Sequence, residues 1–194
     1  MPDTDPQIIV IGGPNGAGKT TLAPHLLRDK LAIHRYVNAD PIALGLSGFD
    51  PSSVSFEAGR VMLTRLKSLV LDRQTFALES TLAGKSYARW LNQVREQDYG
   101  IQLVFLWLRT PDLAVQRVAE RVRDGGHDVP EEVIRRRYFA GLRNFWTLYE
   151  PLVDAWAVFD NSEGACQTVA RGNRETQLLI YDKLSWIRFS NTRP

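Results

Sequence analysis

The fold class of this chain is decided by nine residues near its start, Gly13-Pro14-Asn15-Gly16-Ala17-Gly18-Lys19-Thr20-Thr21. The run fits the pattern GxxxxGK[ST], in which glycines, a lysine and a hydroxyl residue stand at fixed offsets. It follows a short apolar segment at residues 8–11 and precedes a segment of helical period at residues 19–29. Such a turn lets backbone amide groups converge on phosphate oxygens, with the positive end of a helix dipole behind them. The run therefore predicts a phosphate-binding loop.

Two side chains of this loop are candidates for direct contact with a nucleotide. Lys19 is predicted to reach the β- and γ-phosphates of ATP, and the Thr20 hydroxyl is predicted to ligate Mg²⁺. The alternative is a glycine-rich turn that binds nothing, but glycine fills only about 7% of positions, so the pattern arises by chance in about one chain per hundred. We therefore expect the whole loop to bind nucleotide: Gly13, Pro14, Asn15, Gly16, Ala17, Gly18, Lys19, Thr20 and Thr21.

Composition indicates one globular domain without a membrane anchor. The chain has 194 residues, of which 44% are hydrophobic and 24% charged, and this suits a single core over residues 1–194. Its longest apolar stretch, residues 103–108, is too short to span a membrane. The single cysteine, Cys166, excludes an internal disulfide and fits a reducing compartment. Because the net charge is only +2, a nucleic-acid partner is not indicated. The single cysteine and the short apolar stretches lead us to expect a cytoplasmic protein.

Apolar segments of strand length alternate with longer segments of helical period over most of the chain. The predicted strands cover residues 8–11, 35–38, 75–78, 101–108 and 155–159. The predicted helices cover residues 19–29, 55–72, 85–97, 112–123, 131–149 and 175–187. This alternation is typical of a parallel sheet wrapped by helices. We therefore predict an α/β fold of the P-loop NTPase class, with a five-stranded parallel sheet flanked by helices.

Carboxylates are predicted at the carboxyl ends of two strands. Asp40 follows the second predicted strand, and Glu79 follows the third. In an open α/β sheet, ligands bind beyond the carboxyl ends of the strands, so both side chains should face the phosphate-binding loop. Asp40 is a candidate for orienting and deprotonating an acceptor hydroxyl, or alternatively a helix N-cap ahead of Pro41. For Glu79 the alternative to a role in the site is a polar strand end, and Thr81 is a candidate helix cap or substrate contact.

Basic residues surround a glycine-rich loop at residues 123–127. Two predicted helices meet there, and we interpret residues 121–137 as a short lid that closes over a transferring phosphate. Arg117 and Arg121 share a helix face, which makes Arg121 the first candidate for a catalytic cation and Arg136 the second. The alternatives are a solvated helix face and a nucleic-acid patch. A phosphate loop, two carboxylates at strand ends and an arginine-bearing lid together favour a kinase-type sheet.

These motifs resemble those of the zeta-toxin family of kinases. The resemblance is carried by the phosphate loop and by further short motifs: Asn38-Ala39-Asp40, Leu78-Glu79-Ser80-Thr81, Arg121-Val122, Gly125-Gly126-His127, Val129-Pro130, Arg135-Arg136-Arg137-Tyr138, Asn144-Phe145 and Phe159-Asp160-Asn161-Ser162. Together they cover most of the chain from Ile8 to Ser162. The resemblance implies Mg·ATP as the phosphoryl donor and the 3′-hydroxyl of UDP-N-acetylglucosamine, a sugar nucleotide, as the acceptor. It implies further that Glu79, in a Glu-x-Thr segment with Thr81, binds the acceptor's hydroxyls or a magnesium-bound water. It also implies a toxin that an antitoxin protein holds in check.

The chain departs from the longer zeta toxins in its lid. Those proteins carry a second catalytic arginine shortly before a proline, where this chain has His127 ahead of Pro130. The second lid cation is therefore left open between His127 and the arginines. Asn161 and Ser162, which follow the last predicted strand, are candidates for contact with the adenine of the nucleotide.

Other functions remain open from the sequence. The Asn-Lys-x-Asp segment with which a GTPase reads guanine is absent from the sequence. A kinase of another nucleoside or small metabolite fits the same residues, and so does a non-catalytic nucleotide-binding switch that binds a protein partner. RNA-linked phosphorylation is a further alternative, which would show binding that weakens steeply with salt.

Overall fold

The strands form one mixed sheet whose parallel part carries the phosphate-binding loop. The computed structural model describes residues 5–175 and 177–194. The strands within these residues are β1 (Gln7–Gly12), β2 (Tyr36–Val37), β3 (Phe76–Ser80), β4 (Gly100–Trp107), β5 (Ala155–Asp160), β6 (Gln167–Asn173) and β7 (Leu178–Ile180). Their order across the sheet is β2-β3-β1-β4-β5-β6-β7. The first five strands in the chain run parallel, and β6 and β7 extend the sheet antiparallel beyond β5.

Helices connect these strands and flank the sheet. They are α1 (Lys19–Ala23), α2 (Ala39–Leu46), α3 (Ser55–Leu71), α4 (Ser86–Arg95), α5 (Pro111–Arg123), α6 (Glu131–Asn144) and α7 (Lys183–Ser190). π-Helical turns continue α1 over Pro24–Lys30 and α6 over Phe145–Tyr149. Among the described residues, we find no helix that combines the length and the apolar character needed to cross a membrane.

The predicted fold class is confirmed, but the predicted strand count of five is wrong, because the described chain contains seven strands. The extra strands, β6 and β7, have weak sequence signals. Arg171 and Gly172 interrupt the apolar pattern of β6, and all three residues of β7 are exposed. A helix was predicted over residues 175–187, of which residue 176 lies outside the described residues. That segment instead holds β7 and the start of α7, whose N-cap Asp182 accepts hydrogen bonds from backbone amides beyond it.

The middle of the sheet is buried on both faces. Residues 8–11 of β1 are at most 3% exposed. Since successive side chains of a strand point to opposite faces, helices must cover both faces of β1. β1 lies between β3 and β4, and its last residue, Gly12, is in register with Ser80 and Phe105. The phosphate-binding loop after Gly12 therefore begins beside the residues that end β3.

Helix α6 is fixed against the carboxyl ends of two strands. The Tyr138 hydroxyl donates a hydrogen bond of 2.8 Å to the carbonyl oxygen of Leu108, directly after β4. One turn further, Gly141 packs against the carbonyl oxygen of Thr81, just after β3, and a Cβ atom added at Gly141 would lie 2.6 Å from that oxygen. Only a glycine lets the helix approach this closely. Burial also raises the pKa of Tyr138 to about 12, so its hydroxyl stays a donor at neutral pH.

We expect Gly141→Ala to destabilise the protein. The added methyl group would meet a backbone oxygen that cannot move aside cheaply, and overpacking of this kind costs about 1–3 kcal/mol of unfolding free energy. In a domain of this size each kcal/mol lowers the melting temperature by about 2–4 °C. The matched control is Gly59→Ala in α3, where no atom lies within 4 Å. That change should stabilise the helix by about 0.5–1 kcal/mol. Calorimetric melting of both variants checks the pair, and equal melting temperatures would contradict the packing argument.

Candidate active site

The phosphate-binding loop has a backbone that requires glycine, as Gly16 and Gly18 show. Gly16 has a φ of 76° and Gly18 a φ of 81°, and L residues with side chains rarely adopt these angles. A Cβ atom at Gly16 would lie 2.9 Å from the carbonyl oxygen of Ala114, and one at Gly18 would lie 2.8 Å from Nδ2 of Asn161. α1 begins directly after Gly18. The loop is thus pressed between α5 and the end of β5, with the start of α1 behind it.

Lys19 is buried at the centre of a group of charges. Its side chain is 7% exposed, and Nζ lies 3.7 Å from Oε1 of Glu79. Nζ also donates a hydrogen bond of 2.9 Å to the carbonyl oxygen of Pro14. Burial lowers the pKa of Lys19, the charges of Glu79 and Asp40 raise it, and Arg121 lowers it further. The fold therefore brings four of the side chains predicted for the site into one electrostatic group.

Glu79 accepts hydrogen bonds from three side chains. Thr20 Oγ1 donates to Oε2 at 3.1 Å, and Asn38 Nδ2 donates to the same oxygen at 3.1 Å. The Tyr36 hydroxyl also donates to Oε2. Burial raises the pKa of Tyr36, and the negative charge of Glu79 raises it further, so the phenol remains a donor. The carboxylate of Glu79 is thereby held in one orientation beside Lys19.

Asp40 lies in the first turn of α2 and is exposed. The N-cap of that helix is Asn38, whose side chain accepts a hydrogen bond of 2.9 Å from the backbone amide of Asp40. The alternative role of Asp40 as the N-cap is therefore wrong. Its carboxylate is left free of a capping function, and its charge acts on Lys19, Tyr36 and Arg137. The role of Asp40 in the transfer chemistry stays a prediction.

Thr81 lies beyond the end of β3, where its hydroxyl accepts a long hydrogen bond of 3.5 Å from the amide of Ala83. Its carbonyl oxygen faces α6 at Gly141. These contacts shape the turn between β3 and α4. Binding of the acceptor by Thr81 stays a prediction.

The predicted lid consists of the end of α5, a loop over residues 124–130 and the start of α6. Arg121 holds this loop, because its Nη2 donates a hydrogen bond of 2.6 Å to the carbonyl oxygen of His127. Its Nε is buried and forms no hydrogen bond within the described residues. Arg136 is exposed, whereas Arg137 is half-buried. The roles of Arg121, Arg136 and the His127 ring in transfer stay predictions.

A cleft of about 520 Å³ joins the phosphate-binding loop to the lid. Gly16 and Gly18 line one side of it, and Arg117 and Arg121 line another. Asn161 lies in its wall and donates a hydrogen bond of 2.9 Å to the carbonyl oxygen of Ala17. The cleft is continuous with the loop and large enough for a nucleoside. The position of Asn161 in the cleft wall is compatible with contact to adenine, and that contact stays a prediction.

Two residues in and near the site, Tyr36 and Arg109, gave no functional signal in the sequence. Tyr36 and Asn38 orient Glu79, yet Tyr36 reads only as part of an apolar strand. The place of Tyr36 at the carboxyl end of β2 is the one signal that could have found it. Arg109 pairs with the buried Asp160 at 2.7 Å, and the Arg109 backbone amide donates a hydrogen bond of 3.0 Å to the Ser162 hydroxyl. This pair fixes the loop that carries Asn161, and only the folded chain shows it.

In the parallel part of the sheet, the phosphate-binding loop follows the central β1, and carboxylates lie beyond β2 and β3. This arrangement defines a P-loop nucleotide-binding protein with a kinase-like fold. The chain belongs to the AAA domain family, whose model matches residues 8–139. A Haemophilus influenzae protein, described as uncharacterized, is 26% identical over 126 residues, which are 65% of this chain and 88% of that protein.

Solved structures share the fold at low identity. The AvrRxo1-ORF1:AvrRxo1-ORF2 structure with sulphate ions superposes with a TM-score of 0.76 at 14% identity, over 98% of this chain and 65% of that chain. This chain thus spans about two thirds of that protein's length. The PezAT toxin–antitoxin system of Streptococcus pneumoniae gives 0.65 at 17% identity, over 84% and 70% of the two chains. Shikimate kinase from Acinetobacter baumannii gives 0.51 at 22% identity, over 84% and 87%.

Proposed function

We propose that this protein is a Mg²⁺- and ATP-dependent kinase that phosphorylates a hydroxyl group of a small molecule. The observation that carries the proposal is the group around Lys19. A buried ammonium that can hold transferable phosphate lies 3.7 Å from Glu79, and the charge of Asp40 acts on it from a neighbouring strand end. Phosphoryl transfer needs little more of a protein than positioning and charge stabilisation.

Each residue of the group has a role in this proposal. The backbone of the phosphate-binding loop and Lys19 hold the phosphates of ATP, and Arg121 stabilises charge on the transferring group. Asp40 orients the acceptor hydroxyl and takes its proton. The acceptor oxygen forms a bond to the γ-phosphorus, and the bond from that phosphorus to the bridging oxygen breaks. The electron pair of the broken bond stays on ADP.

A magnesium ion suits the oxygen atoms beside Lys19. The Thr20 hydroxyl and a Glu79 carboxylate oxygen are 3.1 Å apart, and both are oxygen ligands of the kind that Mg²⁺ prefers. Within residues 5–175 and 177–194, no cluster of three or more His, Cys, Asp or Glu side chains could hold a metal. Mg²⁺ does not need one, since it is usually held by one or two protein groups together with phosphates and waters. When bound with ATP, it would neutralise charge on the phosphates.

The leading acceptor is a sugar nucleotide, UDP-N-acetylglucosamine, phosphorylated on its 3′-hydroxyl. This choice is supported by the resemblance to the zeta-toxin family. Another nucleoside or a small metabolite is the alternative acceptor. An antitoxin protein is a proposed partner on the same ground, and its setting would be the cytoplasm, where the nucleotide substrates are made.

The test is incubation of the purified protein with Mg·ATP and a panel of sugar nucleotides, nucleosides and sugars, with products resolved by mass spectrometry. We expect one class of acceptor to gain a single phosphate while ATP becomes ADP. Phosphorylation of UDP-N-acetylglucosamine would support the leading acceptor, and phosphorylation of another compound would support the alternative. ATP that is bound but never consumed across the panel would contradict the kinase proposal and favour the nucleotide-binding switch.

A further inference from the structure

Among the described residues, Arg137 differs from its neighbours on α6 because it is half-buried and has no direct partner. Arg135 forms ion pairs with Glu131 at 2.7 Å and with Asp112 at 2.6 Å. Arg136 is exposed. Within the described part of the chain, Arg137 forms neither an ion pair nor a hydrogen bond, although part of its side chain is withdrawn from water. Charged groups that are withdrawn from water are costly unless something pairs with them.

The packing of α6 directs Arg137 towards the strand ends that form the site. Residues four apart share one face of a helix, so Arg137 lies one turn before Gly141 on the face that contacts Thr81. The adjacent residue, Tyr138, holds the same helix to Leu108 beyond β4. The position of Arg137 is therefore set by two strand ends rather than by a mobile loop.

The helix face that carries Arg137 contacts Thr81, which is a predicted acceptor-binding residue. Burial lowers the pKa of its guanidinium, and the charge of Asp40 acts in the opposite direction, although the two groups form no direct ion pair. Arg121, by contrast, acts on Lys19. The helix face towards Thr81 thus separates Arg137 from Arg121, which lines the cleft at the phosphate-binding loop.

We propose that Arg137 binds an oxyanion on the acceptor side of the transfer site. The proposal rests on the kinase function above and adds a requirement to it. A guanidinium group matches the geometry of phosphate with two parallel hydrogen bonds. The oxyanion has two possible sources: an anionic group that the acceptor itself carries, or the phosphoryl group as it arrives at the acceptor hydroxyl.

The test compares Arg137→Gln with Arg143→Gln, an exposed arginine on the same helix. We expect Arg137→Gln to lower kcat/KM for the acceptor by about 10- to 100-fold, since charge-assisted hydrogen bonds contribute about 1.5–3 kcal/mol each. The dissociation constant for Mg·ATP should stay within about threefold of wild type, and Arg143→Gln should behave as wild type. Arg137→Lys should recover only part of the loss, because an ammonium cannot form the paired contact.

The two sources give different kinetics. If the acceptor carries the anion, Arg137→Gln should have a raised KM for UDP-N-acetylglucosamine and an unchanged kcat. The neutral sugar N-acetylglucosamine should then be an equally poor substrate for the variant and for wild type. If the anion is the transferring phosphoryl group, kcat falls for every acceptor. Wild-type kinetics in Arg137→Gln, or an equal loss in Arg143→Gln, would overturn the inference.

A second measurement does not depend on knowing the acceptor. Sulfate, a tetrahedral dianion, is titrated into the protein loaded with Mg·ADP while the melting temperature is followed, because ligand binding raises it by mass action. Wild type and Arg143→Gln should be stabilised by sulfate, and Arg137→Gln should respond less. That result would stand even if no compound in the panel were phosphorylated, in which case the kinase proposal alone would fail. An equal response in all three proteins would overturn the oxyanion site.

Discussion

Replacement of Lys19 by alanine is expected to lower turnover by about 10²- to 10³-fold, which is the usual cost of removing one preorganised charge-stabilising group. Lys19 is the cation that the fold buries inside the phosphate-binding loop. The nine residues of the loop contain no other cation that could take its place. Affinity for ATP should fall as well, since in the proposed function the ammonium contacts the phosphates in the ground state and during transfer.

The fold should survive the Lys19→Ala change. Glu79 would lose a cation at 3.7 Å but keep its donors Thr20, Tyr36 and Asn38. Nucleotide binding by calorimetry and product formation by mass spectrometry measure the two effects, with far-ultraviolet circular dichroism as the check on folding. The matched control is Lys67→Ala, an exposed lysine on α3, which should keep both properties. A Lys19→Ala protein that phosphorylates the acceptor at the wild-type rate would show that the loop is not the donor site.

The phosphate-binding loop and the parallel sheet could be predicted from the sequence because local chemistry dictates them. Glycines at positive φ, as at Gly16 and Gly18, are required by one turn shape and leave a fixed spacing. Strand segments that are buried on both faces, such as residues 8–11 of β1, consist of apolar residues. The exposed β7 carries neither signal, since its pairing with β6 depends on the folded sheet and its Leu-Leu-Ile run suits a helix equally well.

The contacts inside the site were harder to predict because they join distant parts of the chain. Tyr36 and Glu79 are 43 residues apart, and their hydrogen bond follows from the pairing of β2 with β3. The choice between Arg136 and Arg137 depends on the rotation of α6, which is set by the contact of Gly141 with Thr81. Spacing within the helix alone gives no such reference point. Electrostatic partners in a site therefore need the packing of the helices as well as their sequences.

Asp40→Asn is expected to lower kcat by about 10²- to 10⁴-fold, the range that a positioned general base contributes, while ATP still binds. Asparagine keeps the size of the side chain but can neither take the acceptor proton nor supply the negative charge that acts on Lys19 and Arg137. Because the N-cap of α2 is Asn38, the helix keeps its cap in the variant. The loss of a first-turn carboxylate costs only about 0.3–1 kcal/mol of stability.

The matched control for Asp40→Asn is Asp98→Asn, a change of the same kind. Asp98 lies at the amino end of a strand, two residues before β4 begins. Asp98 is exposed and has a φ of 59°, a conformation that asparagine tolerates as well as aspartate. Single-turnover kinetics with saturating Mg·ATP separate the chemical step from nucleotide binding in both variants.

If Asp40→Asn binds ATP and also turns over at the wild-type rate, Asp40 takes no proton in the reaction. Glu79 is not placed to replace Asp40, because it accepts hydrogen bonds from Thr20, Tyr36 and Asn38. Loss of turnover with ATP affinity kept would therefore assign the proton transfer to Asp40.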